Sequence, residues 1–331
     1  MKKLVKQVST LRRASQLFFL LLFLYGGLLG VKKLSDVQDF STAEDLAAAA
    51  ENENLERDSR LFLFMPTKSC KNTNKDAGLF QGCSMFMFSN ILNFHAWYIY
   101  AFPILFFVGL GVVFGRTLCG WTCPIGFIEE MLGTLRKTLG MGHVRVPRRM
   151  NRFLIRFKYA WLSLILLVSF AVALPFFSYI RKDLANVNCL VCPSRYVLMW
   201  FPTVRPSLWS FNSPFWTAGA IIVSIFILVV ASSFFIRRFW CRICPNGAML
   251  SLFNRGCLTT KEKDMEKCTK CGICYRVCPV DNDAVYRVRD RKVVNSGNCV
   301  MCFSCVKHCP EDGALTVKFA GKPIMKSVYE K

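Results

Sequence analysis

The sequence predicts a membrane α-helical protein with four transmembrane helices and a small, cysteine-rich α+β region at its C-terminal end. Three observations predict it: a mean hydropathy of +0.33 over 331 residues, four apolar runs without a charge, and 17 cysteines, eight of them after residue 260. With 53% apolar residues the composition is wrong for a disordered tail or a charged soluble scaffold, and the length allows about two domains. Seventeen cysteines over this length are too sparse for a disulfide-stapled miniprotein, and their odd number leaves at least one outside any scheme of pairs or fours.

The apolar runs lie at 15–31, 98–115, 159–180 and 217–236. At about 1.5 Å per residue each crosses most or all of a ~30 Å hydrocarbon core. Pro103 and Pro175 inside them read as local kinks. Basic residues set the orientation. Residues 1–14 carry five Lys/Arg and no acid, and 116–158 carries nine against two Glu, whereas 32–97 has seven basic and nine acidic residues and 181–216 has four and one. The positive-inside rule places both termini, 116–158 and the chain from 237 onward in the cytoplasm, with 32–97 and 181–216 outside, in a multi-pass protein of the cytoplasmic (inner) membrane. The first run reads as a retained signal anchor, because GGLLGVKK lacks an A-x-A-like cleavage site. The formal charge of +22 thereby becomes a topology signal and a lipid-facing surface, and no nucleic-acid partner is expected.

Between the spans, 41–58 reads as a capped, Ala-rich surface helix. On the inner side, 125–139 is amphipathic, carries Arg136 and Lys137 near its end, and reads as lying along the membrane surface with Glu129 and Glu130 on its solvated face.

The strongest chemistry lies in 261–331. There Cys268-x2-Cys271-x2-Cys274-x3-Cys278-Pro279 is followed by Cys299-x2-Cys302-x2-Cys305-x3-Cys309-Pro310. This is the run of bacterial two-cluster ferredoxins, in which three close thiolates wrap one iron–sulfur cube and the fourth reaches across to the other. The first [4Fe–4S] cluster takes Cys268, Cys271, Cys274 and Cys309; the second takes Cys299, Cys302, Cys305 and Cys278. Structural zinc would show two separated C-x2-C hooks per metal, and a reducing cytoplasm argues against disulfides. His308, between two ligands, reads as a surface residue.

Two further pairs follow the second and fourth runs on the same side. They are Cys119-x3-Cys123-Pro124, within 116–158, and Cys241-x2-Cys244-Pro245, within the 237–260 linker. Together they supply the four thiolates of a third iron–sulfur cluster at the cytoplasmic membrane edge, the alternative being structural or palmitoylated cysteines. With these motifs the chain, over roughly 98–320, resembles the NapH-type membrane iron–sulfur quinol dehydrogenases and polyferredoxins, which have relatives in nitrous-oxide respiration and cytochrome oxidase maturation. The resemblance implies electron passage between the quinone pool, iron–sulfur centres and a partner redox protein. Two features depart from that pattern: the x2 spacing of the second inner pair and the cysteines on the outer side.

Those outer cysteines are Cys70 and Cys83 in the first outer loop and Cys189-x2-Cys192-Pro193 in the second. They read as a fourth cluster at the outer edge, as disulfides, or as a redox-active thiol site. Cys257 is the remainder and has no assigned role.

Nothing supplies a nucleophile or an acid–base dyad, so no catalytic residue is assigned. His95, His143 and His308 lack axial-haem spacing, and there is neither C-x-x-C-H nor a G-x-G-x-x-G fingerprint. The function read is that of an electron-transfer component, a quinol/quinone-linked oxidoreductase of a respiratory chain that joins quinone, cytoplasmic [4Fe–4S] clusters and partner iron–sulfur or cytochrome subunits. A direct hop across ~30 Å of hydrocarbon is implausible, so if both inner and outer quartets hold clusters, quinone or a partner's haem would bridge them. The alternatives are a maturation factor that reduces a metal or disulfide in a client, and an anchoring subunit. Arg116, Trp121, His95 and Trp97 fall near interfaces, where aromatic belts place Trp anyway, so no quinone site is assigned.

Overall fold

A computed structural model of the chain describes residues 2–25, 84–85, 88, 97–173, 192 and 216–328. Four long helices dominate: α1 Lys2–Tyr25, α2 Trp97–Phe114, α5 Arg148–Ala173 and α6 Trp216–Phe235. Between and after them come α3 Thr117–Trp121, α4 Pro124–Thr138, α7 Trp240–Ile243 and α8 Pro245–Phe253. The rest comprises β1 Thr259–Lys263, α9 Ile273–Arg276, α10 Ala284–Arg287, α11 Ser304–Lys307, β2 Leu315–Phe319 and β3 Lys322–Lys326. Residues 41–58, 26–31 and 174–180 lie outside the described residues.

The chain forms two compact units. One comprises Met1–Phe18, Val108–Tyr159 and Ala231–Lys331; the other comprises Phe19–Phe107 and Ala160–Val230. In the second unit, Leu20, Phe23, Leu24, Phe107 and Ile165 are buried, and Phe88 meets Phe107 edge to face at 5.3 Å. Its surface is also apolar: Leu105 is 70% exposed, Leu228 65% and Leu167 64%. Among the described residues, Arg148–Ala171 is the one helix long and apolar enough to cross a membrane, and Ile104–Phe114 is a shorter apolar helix.

The first unit holds Cys119, Cys123 and every cysteine from Cys241 to Cys309. Its sheet is an antiparallel β1-β2-β3 meander, with Thr259 opposite Phe319 and Lys263 opposite Leu315. The stretch 1–14, read from the sequence as a basic inner tail, is helical from Lys2. Val5, Val8, Arg12 and Gln16 recur at helical spacing and are buried. Val5 and Val8 pack into one core with Val294, Val306, Leu315 and Met325. At about 1.5–3 kcal/mol per fully buried aliphatic side chain, two valines contribute several kcal/mol to holding α1 against the sheet.

The reading of 125–139 is corrected in one respect. The helix α4 is amphipathic, but Glu129 and Arg136 are buried while Met131, Leu135 and Leu139, spaced by four, are exposed. Its carboxylates are therefore not a solvated face. The polar side faces protein, and the apolar stripe faces out.

Candidate functional site

The two ferredoxin motifs repeat at an interval of 31 residues (299 − 268 = 31), and the backbone repeats with them. Lys270 and Met301, each just before the second cysteine of its motif, have φ of 59° and 49°. Gly272 and Phe303, each just after it, have φ of 73° and 57°. These left-handed turns bend each C-x2-C-x2-C run around a hollow, and three of the four positions hold residues that rarely adopt them. Cys268, Cys271, Cys274 and Cys309 line one cavity, and Cys278, Cys299, Cys302 and Cys305, with Cys274, line the other. Among the described residues no three His, Cys, Asp or Glu groups converge as a single ion requires. The thiols stand around a space, which is what a cube with a thiolate at each corner demands.

The surroundings suit a negatively charged cluster. Strand β1 alternates, so Lys261 and Lys263 both point inward, 1% and 5% exposed. Lys261 Nζ donates to Cys299 Sγ at 3.1 Å and lines the second cavity; Lys263 lines the first. Backbone N–H groups also reach sulfur, Met301 to Cys299 at 3.4 Å and Asn282 to Cys278 at 3.3 Å. Burial, with neighbouring thiols, pushes Cys278 up to about 12. Burial also pushes Cys305 up to about 12, against the pull of Lys261. Loading metal there releases protons. At Cys302 burial is outweighed by the guanidiniums of Arg12 and Arg238, which hold its thiol below the ordinary range.

The four inner cysteines come together. Cys119 interacts electrostatically with Cys244, and Cys241 with both Cys119 and Cys123. The local architecture repeats: Cys119 sits on the short α3 and Cys123 caps α4, and Cys241 sits on the short α7 and Cys244 caps α8. The Cys-Pro step has a plain cause. Each capping cysteine has extended backbone, and Pro124 and Pro245 occupy the first helical position, where the missing N–H costs nothing. A glycine follows two residues after each proline, and Gly247 N donates to Cys244 Sγ at 3.5 Å.

Charged residues that carry no cysteine signature complete the site. Arg116, 1% exposed, donates to Gly297 O and Cys241 O, and its own N–H reaches Asn254 Oδ1. Trp121 Nε1 donates to Met301 O, and Arg12 Nη1 to Cys302 O. Glu129 accepts from Trp240 N at 2.7 Å, from Ser233 Oγ and from Cys241 Sγ at 3.3 Å. Burial raises the pKa of Glu129 despite those donors. Glu130, also desolvated, is nevertheless held below the usual carboxylate range by Arg238 and Arg12, at 2.7 and 2.6 Å. From sequence, Arg116 was only near an interface and Arg12 only one of the basic residues. The alternation TTKEK was the available signal for Lys261 and Lys263.

Cys257 is buried and donates to Thr259 O at 3.0 Å, a packing role beside Gly115. His308 is exposed. Of the outer four, Cys192 is buried in the second unit, and Cys70, Cys83 and Cys189 lie outside the described residues, as does His95.

Comparison with known proteins agrees with this geometry. Residues 260–310 match the 4Fe-4S dicluster domain family, and 96–142 and 218–261 match the 4Fe-4S binding domain family, so both inner cysteine pairs fall in matched segments. An uncharacterized protein of Methanocaldococcus jannaschii is 29% identical over 65% of this chain and 77% of its own length. The putative electron transport protein YccM of Escherichia coli is 28% identical over 63% of this chain, which spans about half (53%) of that relative. The ferredoxin-type protein NapH of Haemophilus influenzae is 26% identical over 64% of each chain. No solved structure matches. With cysteine-lined cavities in the dicluster segment and paired Cys-Pro helices in the others, the chain is an iron–sulfur electron-transfer protein similar to the NapH-type polyferredoxins.

Proposed function

We propose that this protein is a multi-pass membrane component of a respiratory chain, holding two [4Fe–4S] clusters in 261–331 and a third at the membrane edge, and exchanging electrons with quinone and a partner redox subunit. Cys268, Cys271, Cys274 and Cys309 would hold the first cluster, and Cys299, Cys302, Cys305 and Cys278 the second. Cys119, Cys123, Cys241 and Cys244 would hold the third. When bound, such clusters accept and donate single electrons. What this chain's own residues contribute is placement, charge compensation and exclusion of water.

One observation carries the reading. Cys241 of the inner quartet packs in a single hydrophobic cluster with Val280, Val300 and Cys302, and Cys278 lies against it. The segment between Cys119 and Cys123 touches the same loop: a Cβ on Gly120 would stand 2.3 Å from Val300 O. Only glycine allows that approach. Two cysteine sets far apart in sequence are therefore held in one dry body, the arrangement short-range electron exchange needs.

The membrane reading is supported by the exposed apolar side chains of α2, α5 and α6 and by the outward stripe of α4. Four spans with both termini inside, quinone as the exchangeable carrier and a fourth, outer cluster on Cys70, Cys83, Cys189 and Cys192 belong to the same proposal. Anaerobically purified protein mixed with a quinol tests it. Bleaching of the iron–sulfur absorption by quinol, lost in Cys241→Ser, is the expected result. Clusters that stay oxidised under quinol but, once chemically reduced, pass their electrons to a copper or disulfide client would overturn it.

A further inference from the structure

In the first unit, α1, α4, the segment after α6 and the ferredoxin loops line an open cavity of about 370 Å³ that the cysteine chemistry does not use. That volume lies within the ~300–1,000 Å³ of small-molecule sites. Eight of its lining side chains are Lys or Arg and two are Glu. Glu130 is taken by Arg12 and Arg238, and Glu129 is turned to Trp240 N, Ser233 and Cys241. Among the described residues, the other six cations, Arg13, Arg136, Lys137, Arg237, Arg276 and Lys307, meet no carboxylate within 4.0 Å.

The cavity therefore concentrates positive charge that protein acids do not neutralise. Its buried arginines have donors to spare: the Nε atoms of Arg12, Arg136 and Arg238 and Nη1 of Arg238 have no hydrogen-bond partner. Burial, followed by the neighbouring cations Arg237 and Arg136, lowers the pKa of His143 at this cluster, a sign of like charges crowded together. Guanidinium forks match phosphoryl oxygens in geometry and number, and a single carboxylate offers too little charge for six cations. The helix α4 contributes Arg136 and Lys137 to the cavity and the stripe Met131, Leu135 and Leu139 to the outside. One helix thus presents cations for a headgroup and apolar surface for acyl chains.

We infer that this cavity binds a phosphoryl anion, either the headgroup of an anionic phospholipid or free inorganic phosphate species. The lipid source rests on the membrane reading above; the free-phosphate source does not.

The test uses the full chain, purified with its iron, delipidated in neutral detergent and then offered two probes. The first is phosphatidylglycerol against phosphatidylcholine in nanodiscs, with retained lipid counted by native mass spectrometry; the second is inorganic pyrophosphate followed by calorimetry. Selective retention of phosphatidylglycerol without pyrophosphate binding identifies the lipid source, and saturable pyrophosphate binding identifies the free anion; both support the site. The variant Arg13→Ala/Lys137→Ala removes two cations, Lys137 exposed and neither bonded to a cysteine, and should weaken binding about 30-fold with iron content unchanged. If that variant loses iron, Lys137→Glu alone is read the same way, with a similar loss expected. Equal retention of both lipids with no pyrophosphate saturation, or binding unaltered in the variants, overturns the inference. Iron content is scored separately, so a failure of the cluster reading is recognised as such.

Discussion

The two ferredoxin motifs have one spacing and one backbone, yet opposite surroundings. In the first, Thr269, Lys270 and Cys271 are exposed; in the second, Cys299, Val300, Met301, Cys302 and Phe303 are all buried. The turn that follows the second cysteine is relieved by Gly272 in the first motif. In the second it is imposed on Phe303, whose ring lies 5.9 Å from that of Trp121. A non-glycine residue there costs about 1–2 kcal/mol. That cost is offset by burying the ring against the loop that carries Cys119 and Cys123. The difference teaches that the motif fixes cluster geometry while the residues between the cysteines decide whether the site faces another cysteine set or the solvent. The second motif is docked, and the first is open to solvent.

The comparison breaks most severely at Gly120. Gly120→Val drives a side chain into Val300 O, and overpacking of backbone against backbone costs about 3 kcal/mol or more. Iron analysis should show the inner and second sites lost or depleted with the first retained, and thermal melting should drop. Next comes Phe303→Ala, which empties the contact with Trp121 while leaving the strained turn; a loss of about 3 kcal/mol is expected by denaturant titration. The matching change in the open motif, Gly272→Ala, meets only Tyr286 at 3.7 Å and suffers chiefly from its φ of 73°. It should cost about 1 kcal/mol, so the pair measures how much of the docking is packing. If both changes cost the same, docking of the second motif is not a packing effect.

A smaller effect concerns pH. Glu130 is held below the ordinary carboxylate pKa by Arg238 and Arg12, so it binds fewer protons folded than unfolded. Its contribution is fully present above the unfolded value of about 4.3 and is lost as pH falls through the folded value. Stability of wild type should therefore fall more steeply than that of Glu130→Gln on acidification below about pH 4.3. Parallel curves would remove the Arg12–Glu130–Arg238 triad from the account.

Much of this was legible in the sequence because it is written locally. The x2 and x3 spacings, the Cys-Pro steps and the charge-free runs each depend on neighbours within a turn or two. What was not legible depends on residues far apart in the chain. Arg12 bonds to Cys302 O across 290 positions, and Glu129 and Glu130 look like a polar helix face until Trp240, Cys241 and Arg238 are folded onto them. The basic residues of 1–14 served as a topology signal, and nothing local announced that Val5 and Val8 complete a ferredoxin core. Lys261 and Lys263 were hidden differently, since inward lysines violate the usual pattern of a half-buried strand and make sense only beside thiolates.

The central claim is that Cys119, Cys123, Cys241 and Cys244 hold a cluster of their own beside the ferredoxin pair. Iron and acid-labile sulfide per chain, measured after anaerobic purification of wild type and of Cys119→Ser/Cys244→Ser, test it most directly. The account predicts about 12 iron atoms in wild type, or about 16 if the outer cysteines also hold a cube, and a loss of about four in the variant with the ferredoxin's eight retained. About eight iron atoms in wild type, or a variant that loses none, would contradict it.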